Sequence, residues 1–311
     1  MKEIGAFLLA GLFWGSSFLW IKISVADVHT TSLVAWRLLF GALGLIAILK
    51  IRKKKLPRDP LVWKRIILLS FLSPVIPFYL IAWGETQIDS SVASILNGTT
   101  PLFTIVAAHF LLHDEKITVS RVFGLLLGFA GVIVLVTRGQ STTGLLQGLI
   151  AGGSTGVVLG KLAVVGASFC YAVSTVLLRK TLRNMPSFEL ATCILLVGSI
   201  VAWIVVYFVN PPVILPTKPI TWFALAWMGL LGSSLAFMLY FYLLNTWGAT
   251  RAAFTNYIFP LVGLGLGIVF LKEKADWSLA FGALLIVAGV LSANIKSLSF
   301  FVSKEKSIPP R

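Results

Sequence analysis

"SSVASILNGTTPLFTIVAAHFLLHDEKITVSRVFGLLLGFAGVIVLV", residues 90–136, decides how this chain is read, because its pattern returns in "ATRAAFTNYIFPLVGLGLGIVFLKEKADWSLAFGALLIVAGVLSAN", residues 249–294. With one residue deleted before the charged loop, Asn97 aligns with Asn256, Pro101 with Pro260, Glu115 with Glu273, Lys116 with Lys274, Gly124 with Gly282 and Gly131 with Gly289. Common apolarity does not place a proline, a glutamate and two glycines at matching offsets. Upstream, "WGSSFLWIK" (14–22) faces "YAVSTVLLR" (171–179) in a weaker match. The chain is therefore read as a duplication.

The solvent follows from composition. Of 311 residues, 58% are apolar and 12% charged, and the mean hydropathy is +0.94, far from the balance of a water-soluble domain. A helix needs about 20 apolar residues to cross a bilayer. Ten such runs occur, near residues 4–24, 31–50, 64–84, 90–112, 119–138, 161–180, 187–209, 220–244, 249–271 and 277–296. What remains is too short for a soluble domain. Five spans per copy is an odd number, so the second copy enters the bilayer from the opposite side. The expected fold is an all-α integral membrane protein with ten transmembrane helices in two inverted five-helix repeats. The first repeat covers 1–138 and the second 161–296, with a Gly-rich connecting segment at 139–160 and a cytoplasmic tail at 297–311.

The net charge of +15 could suggest nucleic acid, but its distribution argues otherwise. Most basic residues, including "KIRKKKLPRDP" (50–60), fall on the side of the bilayer that holds both termini. The positive-inside rule places that side in the cytoplasm and the protein in the cell membrane. The basic loop then lies beside anionic lipid, and no nucleic-acid partner is expected. The first apolar run is too long for a signal peptide's core, and no convincing cleavage site follows it. Cys170 and Cys193 both lie within spans, which supports neither a disulfide framework nor a thiolate metal site. No cofactor and no metal are expected. The expected partners are the bilayer and a small-molecule substrate, with a monomer as the working assumption.

"LFWGSSF" (12–18), "AWRLLFGALGL" (35–45), "NGTTPLFTIVAAHFLLHDEKITVSRVFGLLLGFAGVIVL" (97–135) and "LKEKADWSLAFGALLIVAGVL" (271–291) closely resemble the EamA branch of the drug/metabolite transporter superfamily, over nearly the whole chain. The resemblance implies a pseudosymmetric carrier that moves small metabolites, often outward, through a central cavity by alternating access. Trp14-Gly15 of the first half stands as Tyr171-Ala172 in the second, a departure that makes the two cavity walls chemically unlike.

Polar groups inside the spans are the candidate lining. Proline has no amide, so Pro101 releases the carbonyl of Asn97 and Pro260 that of Asn256, and Pro74 and Pro77 do the same to Ser70 and Ser73. A freed carbonyl beside an Asn or Ser side chain could hold a water, an ammonium or a hydroxyl. Asn97, Thr100, Pro101 and Thr104 share one stripe of a continuous helix, which should face protein or water. Asn97 and Asn256 are expected to face each other across the midplane. The alternative is a kinked helix whose polar groups satisfy their own backbone. Trp14 and Ser17 share a face of the first helix, and Tyr171 and Ser174 repeat that spacing. Tyr79 and Tyr240 are further lining candidates, although aromatic residues also fill helix contacts and interfacial belts.

Each charge within a span carries its own expectation. Arg37 and Glu85 read either as an ion pair of an outer gate or, with Lys22, as groups that snorkel to the headgroups and form a structural ion pair. Glu115 and Glu273 stand just before their following helices, where the dipole favours an anion, and read as structural. No carboxylate lies near the middle of a span, which points to gradient-driven movement without a proton. The expected function is an inner-membrane transporter, in the export direction, of small metabolites such as amino acids. A drug efflux carrier of the same fold and a non-transporting scaffold are the alternatives. An enzyme is disfavoured because no reactive constellation is present.

Overall fold

The computed structural model describes residues 2–112, 117–137, 155–182, 184–209, 215–247 and 252–293. Glu115, Lys116 and the tail 297–311 lie outside them, as does most of the connecting segment. The first half contains α1 (Lys2–Ser24), α2 (Thr30–Ile51), α3 (Pro60–Ser70), α4 (Ile76–Gln87), α5 (Ser90–Asn97), α6 (Thr100–Leu111) and α7 (Val119–Thr137). The second contains α8 (Thr155–Leu182), α9 (Ser187–Val209), α10 (Pro219–Gly229), α11 (Ala236–Trp247), α12 (Ile258–Leu271) and α13 (Trp277–Ala293). Among the described residues, nine helical spans are long and apolar enough to cross a membrane, and α13, with 17 residues, makes the tenth. The chain is an all-helical membrane protein built as two five-span repeats. One boundary moves: α8 starts at Thr155, so the end of the expected connecting segment is already helix.

Local chemistry sets several helix starts. Asp59 accepts from the Leu61 amide ahead of Pro60, and His29 accepts from the Thr31 amide ahead of α2, both N-cap arrangements. Pro60 and Pro219 open their helices where the missing amide costs nothing.

Two spans depart from a plain α-helix at equivalent places. α3 passes into α4 through a π-turn, Phe71–Val75, and α10 into α11 through another, Leu230–Leu235. Phe71 and Leu230 are separated by 159 residues, as are Asn97 and Asn256. In the first turn Ser73 is extended, with φ −166° and ψ 105°, immediately before Pro74. The second, "LLGSSL", has no proline and bends at a Gly-Ser-Ser run, one of the recognised causes of a sharp kink.

Packing follows the two-fold relation. α1 packs on α12 and on α11, and α8, its counterpart, packs on α6, α5 and α4. α2 lies against α9, and α7 against α13, each pair formed by equivalent helices. The α7–α13 seam is made of glycines. A methyl on Gly124 would stand 2.4 Å from the Gly289 carbonyl oxygen, and one on Gly131 would stand 2.8 Å from that of Gly282. These two contacts are the same contact seen from either repeat, since Gly124 corresponds to Gly282 and Gly131 to Gly289. Backbones this close are what small residues permit between membrane helices.

Loops tie the halves together as well. Asp27, between α1 and α2, accepts from the Thr217 hydroxyl and from the amides of Thr217 and Lys218 at the start of α10. The Thr217 hydroxyl bond is the chief cause that holds its carboxyl down to about 2. A depressed folded value means the contribution to stability is complete above the unfolded value of roughly 3.9 and is lost as the pH falls through about 2. The melting-temperature gap between wild type and Asp27→Asn should therefore be open at pH 7 and nearly closed at pH 2. An equal gap at both values would detach this carboxylate from folding.

Candidate functional site

The opening stretch lies in the most enclosed span: 83% of its apolar window, within Ser90–Leu111, is buried inside the protein. Its polar groups face other helices, and the helix breaks there. α5 ends at Asn97, Gly98 and Thr99 turn, and α6 begins at Thr100 with Pro101 in its first turn. In the second half Asn256 sits in a 3-10 turn, Ala253–Tyr257, just before α12 and Pro260. Interruptions of regular helix at equivalent places in the two halves are a feature that inverted-repeat carriers use for substrate.

The break corrects two expectations. First, the freed carbonyls are not left for a ligand. The Asn97 carbonyl accepts from the Thr100 hydroxyl at 2.8 Å, and the Asn256 carbonyl accepts from the Ile258 amide. The peptide groups satisfy themselves, as they must away from water, and the side-chain amides remain. Second, the stripe faces protein along its length, with Asn97, Thr100, Pro101 and Thr104 all buried, but it does not line the cavity as far as Thr104. Thr104 lies a turn further along α6, its hydroxyl donating to the Thr100 carbonyl at 2.8 Å.

Both asparagines reach a single central cavity. Its volume is about 60 Å³ as seen by the centres of water-sized molecules, and one water needs ~10–15 Å³, so several waters fit. Eight of the ten expected binding residues line it: Trp14, Ser17, Asn97, Thr100, Tyr171, Ser174, Tyr240 and Asn256. Three pairs among them, Trp14 with Tyr171, Ser17 with Ser174 and Asn97 with Asn256, are repeat equivalents. Tyr79 does not line it. Phe78 and Ile81 are the cavity face of α4, and Tyr79, about 100° further around that helix, keeps its buried hydroxyl without a hydrogen-bond partner among the described residues.

The walls are held from behind. Trp14 Nε1 donates to the Gly232 carbonyl at 2.7 Å, so the π-turn in the second half fixes an aromatic wall from the first. Phe237, Tyr240 and Phe259 surround the Trp14 ring with centroids 5.5, 5.1 and 6.0 Å away, within the range where edge-to-face contacts are favourable. Tyr240 Oη lies 3.2 Å from Thr175 Oγ1. Ser168 Oγ stands 3.1 Å from Asn97 Oδ1, and α8 thereby braces the break between α5 and α6.

The charged residues are arranged otherwise than the gate expectation held. Arg37 and Glu85 do not pair. Arg37 Nε donates to Ser233 Oγ at 3.2 Å, and the guanidinium carbon lies 3.7 Å from the centre of the Phe78 ring. Both Glu85 carboxylate oxygens are buried without a hydrogen-bond partner among the described residues. Lys22 is not a snorkelling cation: its Nζ donates to the Glu85 and Ile88 carbonyls, 2.7 Å each, and closes the C-terminus of α4. Glu273 is structural at a helix start, but at a different helix from the expected one. Its carboxylate accepts from the amides of Ser90 and Ser91 at 2.8 and 2.9 Å and from both hydroxyls, capping α5 of the other repeat. Arg37 itself lines the cavity, with Ser73, expected as a site beside Pro77, and with Phe78, Thr175 and Phe241, none of which was an expected lining residue. The Phe237, Tyr240, Phe241 and Leu244 stripe at i, i+3, i+4 and i+7 was the available signal.

The model of the EamA-like transporter family matches twice, over residues 1–137 and 158–295. The chain belongs to that family. Its EamA-like relatives include the uncharacterized transporter YoaV of Bacillus subtilis, 26% identical over 90% of this chain and 92% of its own length. Protein PagO of Salmonella typhimurium is 25% identical, over 84% and 82%. The chloroplastic WAT1-related protein At3g02690 of Arabidopsis thaliana is 22% identical, over 91% of this chain and 67% of its own. One crystal structure, 20% identical, superposes with a TM-score of 0.69 over 94% of this chain and 98% of that one, which establishes likeness of fold. As an EamA-like protein, the chain is a membrane transporter built on the duplicated unit.

Proposed function

We propose that the chain carries small metabolites, amino acids first among them, by alternating access through the central cavity. We place it in the cytoplasmic membrane with both termini in the cytoplasm and assign it the export direction, on the charge asymmetry and the family resemblance. The observation that carries the reading is the matched lining: equivalent residues of the two repeats meet at one cavity beside the α5–α6 break and the 3-10 turn ahead of α12. A non-transporting scaffold has no use for that convergence. The aromatic cluster around Trp14 favours a substrate with an apolar or planar part, and on that ground lipophilic drug efflux is the second reading.

Counterflow in proteoliposomes tests the proposal: vesicles preloaded with one unlabelled metabolite should draw in its labelled form. Amino-acid exchange supports the first reading, lipophilic-compound exchange the second, and no exchange of either kind points to the scaffold. Asn97→Ala and Asn256→Ala should each slow exchange about tenfold, the scale of one lost buried hydrogen bond, at unchanged protein level. Full exchange by both variants would remove the two amides from the site. An imposed pH gradient is expected to leave the flux unaltered.

A further inference from the structure

Among the described residues, Arg37 has no ion-pair partner. It is 2% exposed, lies on α2 and lines the central cavity. The nearby acid of its own repeat, Glu85, makes no hydrogen bond to it. What the protein does supply is specific. Ser233, in the π-turn of the second half, takes the Nε edge, and the Phe78 ring covers a face of the guanidinium plane. The terminal Nη groups, which carry four of the five N–H donors, have no hydrogen-bond acceptor given by a described residue.

A guanidinium held in this way is oriented. Nε is tied down, one face is stacked, and the forked edge is the part left to bind, which is the geometry that recognises a planar carboxylate through two parallel bonds. An uncompensated buried cation is expensive, and a ligand anion arriving in the cavity would relieve that cost. Resting on the carrier reading above, we propose that Arg37 is the substrate's carboxylate anchor. The transported class is small organic acids and zwitterions that present one carboxylate to Arg37, with their apolar part against the aromatic wall of Trp14.

The test uses the full-length protein in proteoliposomes and matched probe pairs, the proteinogenic L-amino acids and their primary amides, which differ only in the group Arg37 would meet. Wild type is expected to exchange at least one acid, and to prefer it over its amide by at least about 30-fold in kcat/KM, the lower end for truncating one partner of a buried charge pair. Arg37→Gln should erase that preference, and Arg37→Lys, with charge but no fork, should restore part of it. The pairwise preference is read on wild type, so the proposal stays falsifiable even if Arg37→Gln fails to fold. Equal exchange of acids and amides, or faster exchange of amides, overturns the anchor while leaving the carrier intact. Exchange of neither by protein that still exchanges a lipophilic compound overturns the anchor alone, and exchange of none of the three overturns both.

Discussion

Gly289→Ala is expected to leave little correctly assembled protein, and Gly124→Ala likewise. An alanine methyl at 289 would lie 2.4 Å from the Gly128 amide nitrogen and 2.6 Å from both the Gly124 carbonyl oxygen and the Gly128 Cα. All three are backbone atoms, so no side chain can swing aside, and α7 and α13 must part by about 1 Å before ordinary contact returns. Overpacking of this kind costs ~1–3 kcal/mol, and the separation also undoes the Gly131–Gly282 contact, since the same rigid helices make both. The control is Gly265→Ala in α12, where a methyl meets nothing within 4 Å and alanine's helix preference favours the variant by up to ~1 kcal/mol. Thermal unfolding and size-exclusion profiles of the three variants decide the matter. Equal stability of Gly289→Ala and Gly265→Ala would show that the seam is not tight.

Glu273→Ala should be the most damaging change among the charged residues. It removes the acceptor for two backbone amides and two hydroxyls at the start of α5, and Ser90 and Ser91 are buried. Hydrogen bonds to a charged group are worth about 1.5–3 kcal/mol each, and deleting one partner strands the other, so a loss of ~2–4 kcal/mol is expected. α5 carries Asn97 at its far end, so flux should fall together with the melting temperature. Glu273→Gln keeps one accepting oxygen and should lie between. A Glu273→Ala variant that melts with wild type would contradict the cap.

What the sequence disclosed and what it withheld divide along the distance of the contacts involved. The duplication, the spans and the Asn-Pro sites were legible because they are local or periodic: a proline deletes an amide wherever it stands, and Asn97 and Asn256 announce themselves by their offset. The π-turn at "LLGSSL" was hidden because Gly and two Ser also occur in straight membrane helices, and only the unread equivalence with the Pro74 site marked it. Tyr79 was misjudged by one position, a helical phase that the irregular turn before α4 resets. For Arg37, Glu85, Lys22 and Glu273 the sequence offered opposite charges on one side of the bilayer. Three-dimensional packing gave three of them other partners: a serine and a ring for Arg37, carbonyls for Lys22 and a foreign helix start for Glu273. None of these pairings leaves a mark within its own segment.

The walls of the cavity carry one further implication. Trp14 is bonded to Gly232 and precedes Gly15, against which Val262 is seated, whereas their equivalents Tyr171 and Ala172 offer a phenol and a methyl. Under the alternating access proposed above, turning the molecule inside out does not exchange like for like, and the inward-open and outward-open forms would differ in energy and in grip. For a carrier with no driving ion, microscopic reversibility still fixes the ratio of maximal velocity to half-saturation concentration at the same value from either face. The mismatch between the halves should then surface as a tight, slow face and a loose, fast one, their differences cancelling in the quotient.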